Sequence, residues 1–169
     1  MANMIPISTV TVGSGGSSTI QFSNIPQNYT DLKLIVSARM NYGSGINYST
    51  FTVNSDSPSS LTYFKNVVTE GSATVSTYSQ SSYGTGGEVT IGPAPGTSPI
   101  FNSFEIYMPN YSGATYKPYT VDLVNSNTLW FWMSGNMYYN TAPITSLKLY
   151  NSYNFSQYSS ATLYGIRKY

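Results

Sequence analysis

Residues 29–39, YTDLKLIVSAR, alternate without a break: Leu32, Leu34, Val36 and Ala38 fall on one face, and Lys33, Ile35, Ser37 and Arg39 on the other. A period of two marks a half-buried strand, because successive side chains leave a pleated backbone on opposite sides. The leucine face is the expected core. The same period recurs along the chain in short runs rich in Val, Ile, Thr, Tyr and Phe, each ended by a cluster of Gly, Pro, Asn or Ser. Such a chain has little choice but to build sheets.

Taken in order, strands are predicted over residues 7–12, 19–22, 29–39, 46–53, 89–91, 101–108, 119–124, 128–133, 144–150 and 160–166. Residues 61–68 suit either a strand or one helical turn, and 72–83 are polar and β-like. Residues 40–45, 54–60, 84–87, 92–99, 111–118, 135–143 and 151–157 read as turns and loops, with Phe155 as a plug at one end of the fold. Gly13-Ser-Gly-Gly16 closes a hairpin or short loop between the first two strands. It lacks the Lys and the following helix that a phosphate cradle needs. No long amphipathic helix is predicted. About 8–10 strands joined by turns imply an all-β fold: an antiparallel β-sandwich, jelly-roll-like, with little or no helix. At 169 residues one domain, 1–169, is expected, with residues 1–7 a candidate N-terminal arm.

Composition narrows the chemistry. There is no Cys and no His, which removes disulfides, a cysteine nucleophile, a Ser-His-Asp triad and the commonest zinc ligands. Six carboxylates are present: Asp31, Asp56, Glu70, Glu88, Glu105 and Asp122. Two facing each other across a cleft would be needed for glycoside hydrolysis. Asp31 stands at a strand start beside Lys33, and Glu105 and Asp122 lie on strand faces opposite core positions, so all six read as ordinary solvated or paired groups. Asp56 lacks the spacing of a calcium loop. The expectation is a protein without catalytic residues, metal or cofactor, and not an enzyme.

Charged residues are only 8% of the chain, against roughly 25% in an average domain. The seven basic residues are scattered and form no stripe for phosphates, so no nucleic-acid partner is expected. No apolar run approaches the ~20 residues of a membrane span, so no membrane insertion is expected. The start, MANMIPISTV, has neither a basic region nor a long apolar one of the signal-peptide kind. Release by cell lysis, or as part of a particle, is the route this implies. Seventeen tyrosines take the place of charge. Tyr joins apolar area to a polar tip and suits interfaces. Tyr42, Tyr48, Tyr111, Tyr116, Tyr138 and Tyr139 fall in or near predicted loops and are candidates for protein or sugar contact. Trp130 and Trp132 share one strand face, either in the core or as an aromatic platform.

Three stretches carry a resemblance: STVTVGSGG (8–16), IQFSNIPQNYTDLKLIVSAR (20–39) and SSATLYGI (159–166). They resemble a group of small structural proteins of tailed bacteriophages. In that group a TVGSGG-like segment precedes F-x-x-IP-x-x-YTDL and a strand ending S-x-R, and the chain closes on T-L-Y-G-I. The resemblance covers both ends well and the middle thinly, and its motifs are structural. It implies a jelly-roll-like sandwich displayed in many copies on a virion, assembled in the host cytoplasm and exposed on the particle exterior. The implied role is capsid decoration or cement on the major capsid protein, with a homo-oligomer (dimer or trimer) expected. The alternative is a tail-fibre or receptor-binding component meeting tail proteins and a host surface glycan. The opening stretch and the closing TLYGI strand are expected side by side in one sheet.

Overall fold

A computed structural model describes residues 3–42, 47–55, 61–69, 75–78, 88–91, 93–94, 100–125 and 130–167; positions 47–48, 61–94, 125, 130 and 132 are described, where at all, by backbone alone. The strands are β1 (Asn3–Thr11), β2 (Ser17–Phe22), β3 (Asp31–Ala38), β4 (Met40–Asn41), β5 (Asn47–Val53), β6 (Leu61–Thr69) and β7 (Val75–Tyr78). They continue as β8 (Glu88–Ile91), β9 (Pro93–Ala94), β10 (Asn102–Pro109), β11 (Lys117–Asn125), β12 (Trp130–Tyr138), β13 (Leu147–Phe155) and β14 (Ser160–Arg167). Among the described residues there is no helix.

Two antiparallel sheets pack face to face as a β-sandwich. The larger runs β1-β14-β3-β10-β11-β12-β6-β7, and the smaller runs β8-β5-β13-β4-β9 with β2 also on β13. Only the two-residue contact of β4 with β9 is parallel. The alternation in residues 29–39 does what its period requires. Leu32, Leu34, Val36 and Ala38 are all buried, together with Phe104, Ile106 and Met108 of β10 and Ala161 and Leu163 of β14. From the smaller sheet, Ile20, Phe22, Phe51, Leu147, Leu149 and Phe155 close the same core.

The opening stretch and the closing strand are neighbours. β14 lies between β1 and β3, pairing Thr162 with both Thr9 and Ile35. The hairpin between β1 and β2 does not form. β1 pairs only with β14, whereas β2 joins β13 in the other sheet. The glycine turn is real, with the Gly16 amide donating to the Gly13 carbonyl at 3.0 Å, but it carries the chain from one sheet to the other. The β1–β14 pairing is prolonged past Thr11 by a pair of bonds to the turn before β14. The Val12 amide donates to the Ser159 carbonyl (2.8 Å), and the Tyr158 amide donates to the Val12 carbonyl (3.0 Å).

Other boundaries also differ from expectation. Residues 3–7 are strand, not an arm. Residues 61–69 are strand. β12 continues through Gly135 to Tyr138, because Ser134 and Asn136 turn inward and bond each other, Asn136 Nδ2 donating to Ser134 Oγ at 2.9 Å. A buried polar pair looks like a loop in sequence. Likewise 151–155 extends β13, with a register irregularity between Tyr150 and Phe155, and Phe155 is fully enclosed. Lys117 and Pro118 begin β11 rather than ending a loop. Pro93–Ala94 forms β9, while the rest of the expected 92–99 loop, the 84–87 turn and most of 54–60 lie outside the described residues.

Two polar turns close one end of the sandwich. Asn54, at φ 54°, accepts from the Thr145 and Ser146 amides (2.7 and 3.2 Å), and its Nδ2 donates to the Pro143 carbonyl at 2.8 Å. Gln27 Nε2 donates to the carbonyls of Ile25 (2.7 Å) and Ile144 (2.9 Å). Asn is among the few residues that adopt a left-handed backbone readily, which is why it occupies this corner.

Candidate interaction surface

The outward residues of the larger sheet can be read row by row from its register. One row runs Thr9, Thr162, Ile35, Glu105, Asp122 and Met133. A second runs Pro6, Tyr164, Lys33, Tyr107, Thr120 and Gly135, and a third Thr11, Ser160, Ser37, Ser103, Val124 and Phe131. These side chains face away from the smaller sheet. An antiparallel sheet with one solvated face ordinarily alternates apolar-in and polar-out. Here the outer face keeps Ile35, Tyr107, Val124, Phe131, Met133 and Tyr164, with Met4 at its edge. Val124 is 51% exposed, Met133 47% and Met4 46%.

Two shallow depressions interrupt it. One, of about 290 Å³, is floored by Gly135 and walled by Tyr107, Pro109, Pro118 and Met137. A Cβ placed on Gly135 would meet nothing within 4 Å, so the hollow exists because this residue has no side chain. The other, of about 220 Å³, lies among Ile35, Glu105, Asp122, Val124 and Phe131.

The charges on this face are few. Lys33 Nζ meets Glu105 Oε2 at 2.8 Å. Glu105 is the direct cross-strand partner of Asp122, a like-charge pairing that costs stability. Asp122 Oδ1 is covered and accepts no hydrogen bond. Asp31 opens β3. It is 1% exposed, accepting from the Tyr107 hydroxyl (2.7 Å) and the Asn110 amide (3.1 Å). This carboxylate, read from sequence as an ordinary solvated or paired group, therefore ties β3 to β10 and the turn after it. Glu105 and Asp122 occupy the positions expected of them; Asp56 and Glu70 lie outside the described residues, and Glu88 is described by backbone alone. No group of three or more His, Cys, Asp or Glu side chains that could hold a metal occurs among the described residues.

The candidate contact residues divide. Tyr116 and Tyr139 are exposed and meet edge to face at 5.4 Å, one step beyond the Lys117–Tyr138 pair that ends the β11–β12 ladder. They extend the margin of the apolar face beyond Pro118 and Met137. Tyr42 packs on Tyr153 at 4.3 Å, elsewhere on the molecule. Tyr111 and Tyr138 are fully buried and belong to the core, so neither offers surface to a partner. Tyr48 stands in β5, and Trp130 and Trp132 in β12; their side chains lie outside the described part. Sequence reading did not single out Val124, placed Met137 in a loop, and left open whether the face carrying Met133 is core or interface. The signal that could have found them is parity: each shares its strand with a run of buried residues one position out of phase.

Lys117 is enclosed at the inner end of β11. Its ammonium donates to the carbonyls of Thr115 (2.8 Å) and Asn140 (3.2 Å), and burial lowers its pKa below the usual 10.5. These bonds join the two loops that carry Tyr116 and Tyr139.

No family model matches the chain, and neither a curated protein nor a solved structure matches it.

Proposed function

We propose that this chain is a non-enzymatic structural component of a bacteriophage virion, a decoration or cement protein that docks on assembled coat subunits in many copies. The observation that carries this reading is the outer face of the eight-stranded sheet. It leaves Val124, Met133 and Met4 about half exposed, and among the described residues it holds a single ion pair. Apolar side chains grouped together, as Ile35, Val124 and Phe131 are, favour a protein partner, because burying them removes apolar area from water at roughly 25 cal/mol per Å². The resemblance of the two chain ends to phage structural proteins supplies the setting. Repetition on a particle turns a modest single contact into firm attachment.

The test is sedimentation of purified protein with particles assembled without it, followed by counting of bound copies and electron microscopy. Binding in high copy across the shell is expected. Met133→Gln and Val124→Gln sit on exposed side chains and add no charge beside Asp122, so both should fold and both should reduce bound copies at least tenfold. Undiminished binding by both variants, or a few copies confined to the tail tip, would contradict the reading.

A further inference from the structure

A projection and a hollow stand side by side on the outer face of the larger sheet. Met133 projects, about half exposed. Gly135 floors the apolar depression walled by Tyr107, Pro109, Pro118 and Met137. Two residues apart on β12, they share one face at a spacing of about 6.8 Å. The hollow is held in shape by the protein itself. The Tyr107 hydroxyl donates to the buried Asp31 carboxylate at 2.7 Å, and two other walls are rigid proline rings. A methionine side chain is flexible enough to fill such a gap.

In a two-fold contact, residue i of one copy meets residue j of the other while j meets i. Consider a two-fold axis that lies in the interface and crosses β12 between Met133 and Gly135. It sets Met133 of each copy over the Gly135 hollow of the other. It also lays the whole row containing Met133 on the row containing Gly135, strand over strand. By register, Asp122 then faces Thr120, Glu105 faces Tyr107 and Ile35 faces Lys33. No charge meets its own kind. The row with both carboxylates lies over the row with the lysine, and Lys33 comes within one strand of Glu105 of the other copy. The rows on either side are exchanged as well, which sets Phe131 over Met137 and Val124 over Pro118, apolar on apolar.

The extent suffices. Four rows across five strands cover roughly 650 Å² in plan, before the relief of the side chains is added. A standard interface takes about 800 Å² of accessible surface from each partner. Two sheets stacked in this way are about 10 Å apart, as within the sandwich itself.

From this match of shape, charge and extent we infer that the free chain pairs with a second copy of itself through the outer face of the larger sheet, Met133 of each entering the Gly135 hollow of the other. This contact and the coat docking proposed above use one face and exclude each other. The pair is therefore the form of the chain away from the particle.

The test is sedimentation velocity of the purified full chain from micromolar to millimolar concentration, with no particle present, so its result is independent of the coat. A monomer–dimer equilibrium is expected. Gly135→Leu fills the hollow and Met133→Ala removes the projection, and each should raise the dissociation constant at least tenfold. A Cβ at Gly135 meets nothing within 4 Å and Met133 is exposed, so both variants keep the fold. An equal mixture of the two variants should dimerise about as tightly as the parent. In the mixed pair the Met133 of one variant enters the open hollow of the other, and at the second contact the new leucine lies over the new alanine. A monomer throughout the range, an assembly other than a dimer, a dimer undiminished in either variant, or a mixture no tighter than the variants alone would each overturn the inference.

Discussion

Tyr111 is completely enclosed, and its hydroxyl donates to the Pro26 carbonyl across the end of the sandwich. Its own carbonyl accepts from the Ile144 amide at 3.0 Å. Three separated segments are thus tied at one residue. Burial pushes its pKa above the usual 10.0. The folded state therefore holds this proton where the unfolded chain releases it. The resulting stability is present in full below pH 10.0 and is lost as pH rises through the raised value. Lys117 acts in the opposite sense: its lowered pKa makes stability rise with pH up to 10.5. Tyr111→Phe should cost about 1–3 kcal/mol at neutral pH by leaving the Pro26 carbonyl unpaired. Above pH 10 the gap between the variant and the parent should narrow, as measured by urea midpoints at several pH values; a constant gap would refute the assignment. Nothing in the sequence near this residue announces its burial. It follows Pro109-Asn110 in a turn, where side chains have no alternating face, and what covers it comes from residues 26 and 144, distant in the chain.

At the scale of elements, the motifs at the two ends turn out to touch. A Cβ on Gly165 of β14 would fall 2.3 Å from Tyr29 Cγ, so the tyrosine ring before β3 lies directly on the glycine. The Arg167 guanidinium sits 5.1 Å from that ring's centre. Tyr29 fills the space that a bare glycine leaves in the sheet, as aromatic side chains do for glycines in designed strands. Gly165→Ala should destabilise by about 1–3 kcal/mol through overpacking, lowering Tm by roughly 2–4 °C per kcal/mol for a chain of this length. In the double variant with Tyr29→Ala the two losses should sum to more than the measured total, since the alanine methyl then has room. Strict additivity would show that ring and glycine do not interact.

The strands that were legible, β3, β10 and β14, are those that bury an apolar residue or glycine at every second position from end to end. β1 was harder. Ile7 has no cross-strand partner, because the register passes from Pro6–Tyr164 to Ser8–Leu163. That one-residue bulge lets Ile7 and Val10, of opposite parity, both pack against the core. With Pro6, it also makes β1 a poor template for another strand, as edges usually are. No periodicity rule reveals a bulge in a run that is β-branched on both sides.

Across the whole molecule, the fold class follows from local period and turn chemistry, while the pairing order does not. β1 and β2 are consecutive, yet their partners β14 and β13 come from the other end of the chain. Such pairings require long loops to close before any contact rewards them. Refolding should therefore take milliseconds to seconds rather than microseconds. Stopped-flow tyrosine and tryptophan fluorescence would check this, and complete recovery within microseconds would contradict the topology.

Asn3 and Arg167 are the outermost pair of the β1–β14 ladder. Tension applied between them acts on one cross-strand pair at a time, as in opening a zipper, rather than on all pairs in parallel. A copy fixed to a surface by its broad sheet and tugged at residue 3 would yield stepwise from that edge. It would shed a single ribbon while the remaining strands bear almost no load.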